Sequence, residues 1–276
     1  MKLSVPCPAK LNLFLAVGPK DKRGYHPLRT IFQAIGLYDQ MVVELDSSEP
    51  GITFTGADVP AENTVSKALR LISEFTVLPP LQITVEKGIP TMAGLGGGSS
   101  DAAGLIRAVR HVFPGRFTEA DAHAVAAAVG ADVPFFLVGG KAKGEGYGEI
   151  LTPLDDERKP VWCVVVMPPY AYSTPDMYAK LDEIAYEFID FPSDSKQHND
   201  FERVLPYGGD PMNRLGAFGG RHCGMTGSGS AQYALFDNEK EAEEAAYYVR
   251  REDLGDTWVV PFLSRSESLN LSVLTA

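Results

Sequence analysis

The stretch KGIPTMAGLGGGSSDAAG, Lys87 to Gly104, puts five glycines and two serines into the eleven residues from Gly94 to Gly104. Glycine loses more conformational freedom on folding than any other residue, so a run this dense must give something in return. Backbone N–H groups closing on a ligand are the return the composition suggests. The run follows an alternating, strand-like segment at 81–87 and leads into SSDAAGLIRAVRHVF. That segment is predicted as a helix capped near Ser99 or Ser100, with Asp101 in its first turn. Gly94, Gly96, Gly97 and Gly98 are free to take positive φ and let the chain approach a ligand. The helix start adds unpaired N–H groups and partial positive charge, and Ser99 and Ser100 add hydroxyls. The dipole alone is worth ~0.3–2 kcal/mol to an anion, so a triphosphate needs several converging donors. Two familiar phosphate loops are excluded. No lysine follows Gly98, as a Walker A loop requires, and G-x-G-x-x-G fails at Ser99 and Asp101. From the residues alone the run reads either as a phosphate cradle or as a tight packing turn.

Outward from the run, the first half mixes strands and helices. AKLNLFLAVG alternates, with Leu11, Leu13 and Leu15 on one face and Lys10 and Asn12 on the other. MVVELD (41–46) reads as a strand, and ENTVSKALRLISEF (62–75) has helical spacing. TEADAHAVAAAVG opens with a Thr-x-x-Asp cap and stops at Gly130. After the charged turn DDERKP (155–160) the composition resets: VWCVVVMPP is a buried strand, TPDMYAKLDEIAYEF a helix, and 190–200 a polar loop. GMTGSGSAQYALF (224–236) is a second glycine-rich stretch ending in a strand pattern, and EKEAEEAAYYVRRE is an amphipathic helix with acids first and arginines last. A boundary near residue 157 divides the chain into 1–157 and 158–276. The order of elements predicts α+β with mixed sheets.

The net charge of −11 argues against a nucleic-acid or membrane-surface partner, either of which needs a basic face. Cys7, Cys163 and Cys223 lie far apart without C-x-x-C, which fits a reducing compartment and no thiolate zinc site. The start MKLSVPCPAKLNLFL is broken by Pro6 and Pro8 and lacks a signal-peptide core. A cytoplasmic protein, a monomer or weak homodimer, is expected. G-x-S-x-G is absent, and no histidine shows metal-ligand spacing.

If triphosphate is bound, a kinase further needs charge stabilisation at the moving phosphoryl and a group to take the acceptor's proton. Lys10, in an apolar strand beside Asn12, is one candidate; the alternative is an edge lysine reaching water. Asp132, between a helix stop and the run VPFF, is the other; the alternative is a turn or cap aspartate.

PAKLNLFL, GLGGGSSDAA and GMTGSGSAQYALF resemble, in order, the three signature motifs of the GHMP small-molecule kinase superfamily. RGYHPLRTIFQAIGLYD, GADVPFFLVGGKAKGEGYGEILTPL and NDFE narrow the resemblance to the branch acting on a cytidine-diphosphate methylerythritol in the non-mevalonate isoprenoid pathway. It extends from about residue 5 to 274. The resemblance implies a two-lobed fold: an N-terminal ATP-binding lobe with a mixed sheet and the glycine loop, a C-terminal α/β sandwich lobe, and the active site in the cleft. It implies ATP as phosphoryl donor, with magnesium as its counter-ion and no protein ligand assigned beyond Ser100 as a candidate. It implies Lys10 and Asp132 as the catalytic pair, Asp132 taking the proton. Pro90, Thr91, Met92, Ala93, Gly94, Leu95, Gly96, Gly97, Gly98, Ser99 and Ser100 would wrap the phosphates, with Lys87 and Asn63 at the nucleotide. Asn12, Tyr25, His26, Thr174 and Tyr178 fall on the acceptor side, Tyr25 and Tyr178 sandwiching the cytosine. Asp101 stands where many relatives have asparagine, and Ala93 where glycine is common. Gly24-Tyr25-His26 with Tyr178 separates this branch from superfamily kinases of mevalonate, homoserine or sugars. A non-catalytic relative would lack the base or the loop, and here both are present.

Overall fold

The computed structural model of the chain describes residues 1–193, 197–205 and 210–274. Its backbone is set by one long antiparallel pair, β1 (Lys2–Val17) and β2 (Leu28–Leu45), in register from Lys2↔Glu44 to Val17↔Leu28. The predicted strands 9–18 and 41–46 are parts of these two longer ones. β1 carries register shifts between Pro8 and Ala9 and between Asn12 and Phe14. The second makes Leu13 an extra, unpaired residue, and such a bulge re-aims the strand. The simple alternation of Leu11, Leu13 and Leu15 therefore fails: Leu11 packs in one core cluster, Leu13 at its margin and Leu15 in another.

β3 (Gly51–Thr55) and β4 (Leu81–Glu86) pair in parallel, and β4 joins β2. β5 (Lys141–Glu145) and β6 (Ile150–Leu154) form a hairpin against the first half of β2. On one face lie α1 (Thr64–Phe75), α2 (Gly97–Val112), α3 (Glu119–Val129) and the short α4 (Phe135–Val138). Asn63 caps α1 and Thr118 caps α3, each in a reciprocal capping box. α2 lies so close to β1 that a Cβ on Gly104 would stand 2.5 Å from the Cys7 sulfur.

β7 (Trp162–Met167), β9 (Arg221–Met225), β10 (Gln232–Phe236) and β11 (Asp256–Pro261) form a four-stranded antiparallel sheet in the order β11-β7-β10-β9. The period of two is visible in β7. Cys163 and Val165 face β1, while Val164 and Val166 face α6 (Asp210–Ala217) and α7 (Glu239–Arg251). Between these strands lie α5 (Thr174–Asp182), β8 (His198–Asn199) and a 3-10 turn at 200–204. The chain ends with α8 (Arg265–Ser268) and β12 (Ser272–Leu274). β8 and β12 both pair with β1, so the second half returns to the large mixed sheet. The architecture is α+β with mixed sheets.

Two further expectations are corrected. The helix predicted over 174–188 stops at Asp182, although EIAYEF keeps an apolar rhythm; Tyr186 instead packs loosely beside Leu15, Met177 and Phe201. The polar stretch 190–200 contains β8 at its end, and residues 194–196 lie outside the described ones. No helix among the described residues is long and apolar enough to cross a membrane.

Candidate active site

The glycine run connects β4 to α2. Gly94 and Gly96 take φ of 74° and 75°, in the left-handed region, and Gly96 is the N-cap of α2. Neither tolerates a side chain. A Cβ on Gly94 would stand 2.2 Å from the Thr226 carbonyl oxygen, and one on Gly96 2.9 Å from the Phe136 ring. The helix begins at Gly97, not at Ser99 or Ser100, and has no side-chain cap. Gly97 and Gly98 are thus helical residues, and the free N–H groups of the first turn belong to them and to Ser99. The left-handed Gly96 makes the entry that a serine cap was expected to make. Ser100 falls one position on, where the helical period turns it inward. It is fully buried, and its hydroxyl has no partner.

A cavity of about 610 Å³ opens over the loop. Every residue from Pro90 to Ser99 lines it, as do Asn63 and Lys87; Ser100 does not. Asn63 lines it while capping α1, its side-chain oxygen accepting from the N–H groups of Val65 and Ser66 at 2.9 and 3.0 Å. Lys87 is engaged rather than free. Its ammonium donates to Asp39 and, at 2.6 Å, to Asp101. Asp39 also accepts from the N–H groups of Gly88 and Ile89 at 2.7 and 2.8 Å. Burial alone pulls the Lys87 ammonium down, but Asp101 and Asp39 together outweigh it and hold it above the ordinary lysine value. Burial and the neighbouring Asp39 push the Asp101 carboxyl up to about 7, against the pull of Lys87. Sequence reasoning missed Asp39. Its signal was an acid in the apolar strand segment LYDQM.

The other two motifs close on this loop. The Lys10 N–H donates to the Leu95 carbonyl at 2.9 Å, and the Ala231 N–H to the Ala93 carbonyl at 3.1 Å. The Thr226 hydroxyl donates to the Gly94 carbonyl at 3.2 Å and accepts from the Asn12 N–H at 3.1 Å. Lys10 is buried, with its Nζ 3.6 Å from Asp132 Oδ2 and 2.5 Å from Asn12 Oδ1. Burial lowers the Lys10 ammonium below its ordinary value, and Asp132 opposes that shift. Asn12 is held in turn, its amide donating to the Thr30 hydroxyl at 2.8 Å. The Asp132 side chain, in the turn after α3, is 36% exposed and accessible to a ligand.

A second cavity, about 680 Å³, is lined by Tyr25, His26, Ala131, Tyr147, Tyr178 and Asp182, among others. The His26 and Tyr178 rings stack with centroids 4.9 Å apart, and Tyr25 stands 64% exposed, edge-on to Tyr147 at 5.7 Å. Tyr25 and Tyr178 thus share a cavity, with one face of Tyr178 covered by His26. His26 Nδ1 donates to the Gly18 carbonyl at 2.8 Å, and its buried Nε2 faces Asp182 Oδ1 at 3.5 Å. Burial, then Asp132, push the Tyr178 hydroxyl up to about 12. Thr174 lies at the start of α5 with its hydroxyl 2.7 Å from that of Ser228. Tyr147 and Asp182 were not singled out from sequence; Tyr147 lies within the stretch 130–154 but at a glycine-flanked turn, and Asp182 in no motif.

Neither Lys10 nor Asp132 lines either cavity, but each adjoins a residue that does. Lys10 touches the first at Gly96, and Ala131, beside Asp132, lines the second. Among the described residues no three His, Cys, Asp or Glu side chains converge to hold a metal ion. The loop offers N–H donors, which suit phosphate oxygens and not a bare cation.

Residues 63–140 match the family model for the GHMP kinases N terminal domain, and residues 212–254 the model for GHMP kinases C terminal. A 4-diphosphocytidyl-2-C-methyl-D-erythritol kinase of Thermus thermophilus is 37% identical over 258 residues, 88% of this chain and 91% of its own. One of Syntrophus aciditrophicus is 36% identical over 262 residues, 88% and 93% of the two chains. The crystal structure of a 4-(cytidine 5'-diphospho)-2C-methyl-D-erythritol kinase superposes with a TM-score of 0.80 at 34% identity, covering 94% of this chain and 98% of that one.

Proposed function

The chain belongs to the 4-diphosphocytidyl-2-C-methyl-D-erythritol kinases, a branch of the GHMP kinases, and from that premise we propose that it moves the γ-phosphoryl of ATP to the 2-hydroxyl of 4-diphosphocytidyl-2-C-methyl-D-erythritol. ATP takes the glycine-loop cavity, its phosphates on the N–H groups that open α2. Magnesium travels with the nucleotide as its counter-ion. The cytidine end takes the aromatic cavity, its base against Tyr25 and the His26–Tyr178 stack, with the His26 Nε2–Asp182 pair at the base edge. The acceptor hydroxyl then lies at Asp132, which takes its proton, while Lys10 faces the transferring phosphoryl and offsets its charge. Asn12 fixes the Lys10 ammonium. Residues 1–157 act as the ATP-binding unit and 158–276 as the second unit of a cytoplasmic monomer or weak dimer.

The observation that carries this reading is a buried lysine 3.6 Å from an accessible carboxylate, the lysine beside Gly96 of the glycine-loop cavity and the carboxylate next to Ala131 of the aromatic one. A coupled assay of ADP release with ATP and a panel of acceptors tests it. Turnover with the cytidylated methylerythritol, and at most traces with mevalonate, homoserine or simple sugars, is expected. Preference for any of the other acceptors refutes the substrate assignment.

A further inference from the structure

At the floor of the glycine-loop cavity, three charged groups share a nearly buried site. The Lys87 ammonium lies between Asp39 and Asp101, the three side chains being 6%, 0% and 2% exposed. Two carboxylates and one ammonium leave one negative charge uncompensated. Burying an unbalanced charge is expensive even after relaxation, and the usual relief is to bind a proton. Asp101 Oδ1 is buried without any hydrogen-bond partner and is the oxygen open to a proton. Lys87 and Asp101 also line the cavity itself, so the surplus charge lies where the phosphates of a nucleotide arrive.

Among the described residues Lys87 is the cation in contact with Asp39 and Asp101. From β1 the Cys7 thiol approaches, and burial, then Asp101, push its pKa far above the ordinary value, keeping it neutral. Arg107, further along α2, gives its guanidinium to the carbonyls of Pro6 and Ser268. Asp58 and Glu62, on the cavity wall, add only negative charge. Lys10 touches the loop at Gly96 but is paired with Asp132.

We propose that the Asp39–Lys87–Asp101 cluster is a proton-linked positioning device, in which seating ATP on the glycine loop draws a proton from solvent onto the carboxyl pair. Without ligand the cluster carries a net charge of one electron; with the nucleotide bound, one carboxyl is neutral and Lys87 balances the other. The proton removes a repulsion beneath the phosphates while Asp39 keeps its grip on the Gly88 and Ile89 N–H groups that anchor the loop. Burial and Asp39 set Asp101 to titrate near neutrality, where a nearby anion tips the balance. Asp101 is a positioning residue and does not itself contact the reacting atoms. The inference rests on the nucleotide occupying this cavity.

Calorimetric titration of the full chain with ATP and excess magnesium, in two buffers of different ionisation enthalpy at pH 7.5, tests it. The wild type is expected to show buffer-dependent heats equivalent to uptake of a substantial fraction of a proton, and an ATP Kd that rises above pH 8 by up to about tenfold per unit. Asp101→Asn, nearly isosteric, is expected to bind with buffer-independent heats and a flat Kd over the same range. Equal heats in both buffers for the wild type, or the same pH slope in the variant, overturn the inference while leaving the nucleotide site standing. Absence of any ATP binding by the wild type overturns that site and the inference together. The wild-type arm does not depend on the variant folding.

Discussion

Lys10 and Lys87 are both buried against the glycine loop, Lys10 at Gly96 and Lys87 at the loop's entrance, yet they are opposite kinds of group. Lys10 has one carboxylate near it, 3.6 Å away and partly open to solvent. Its ammonium is lowered by burial, against the pull of Asp132. Lys87 has two carboxylates, both buried and both in hydrogen-bond contact, and is raised. The same residue type, at similar burial, faces one partly exposed carboxylate in one place and is locked between two buried ones in the other. What separates them is the count and exposure of the carboxylates, not the lysine.

The largest effect that could break this contrast is at Asp132. Asp132→Asn should lower kcat by roughly 10²–10⁴ if it acts as general base, with the ATP Kd and the melting temperature little changed. Near-normal turnover in single-turnover kinetics removes Asp132 from the chemistry and leaves Lys10 a structural ion pair.

Lys87→Met probes the other side. It strands two buried carboxylates, and breaking a buried pair in this way destabilises by about 3–5 kcal/mol. Lys10→Met, whose partner can turn to solvent, should lose activity with a far smaller change in stability. Chemical denaturation of the two variants side by side reads the difference. Equal destabilisation would falsify the division of roles.

How much of this was legible in the chain depends on whether the information was local. The loop was visible because residue type and spacing carry it, glycines before a helical period; Lys10 and Asp132 stood out only as candidates, and the family resemblance, not their local pattern, paired them. The partners of Lys87 were not, because Asp39 is 48 residues away and pairs with it only through the β2–β4 register. The start of α2 was misjudged by the preference for serine caps, which a left-handed Gly96 overrides. The bulge at Leu13 hid in a clean alternation, since an extra residue in one strand is specified by its partner and not by its own pattern. Tyr147 joined the aromatic cavity through a hairpin turn, where no periodicity points to function.

The aromatic cavity gives a smaller test, at a distance from both lysines. Tyr25→Ala should raise KM for the cytidylated acceptor by the loss of about 1–3 kcal/mol of stacking, and leave the ATP Kd unchanged. An unchanged acceptor KM means that the base lies elsewhere, and the wide exposure of Tyr25 in the unliganded chain is then its ordinary state.

The smallest predicted effect is the most diagnostic of the Lys87 side. Asp101 releases its proton near pH 7 in the folded chain and near 3.8 when unfolded. Between those values the native state binds more protons, so this group's contribution makes the protein less stable as pH rises from about 4 to 7, and more stable as pH falls. Ordinary acid sensitivity runs the other way. Glu267 and Asp121, held low by hydrogen bonds from Ser264 and Thr118, lose their stabilisation as pH falls. The two trends overlap, so the prediction is a difference. Asp101→Asn minus wild type, measured by urea denaturation at pH 5 and pH 7, should show the variant gaining relative stability as pH rises. The slope is bounded by about 1.4 kcal/mol per pH unit. A difference that is flat or reversed means that Asp101 stays ionised in the folded chain, and that a full buried charge sits under the loop, balanced by the amide dipoles at the start of α2 rather than by a proton.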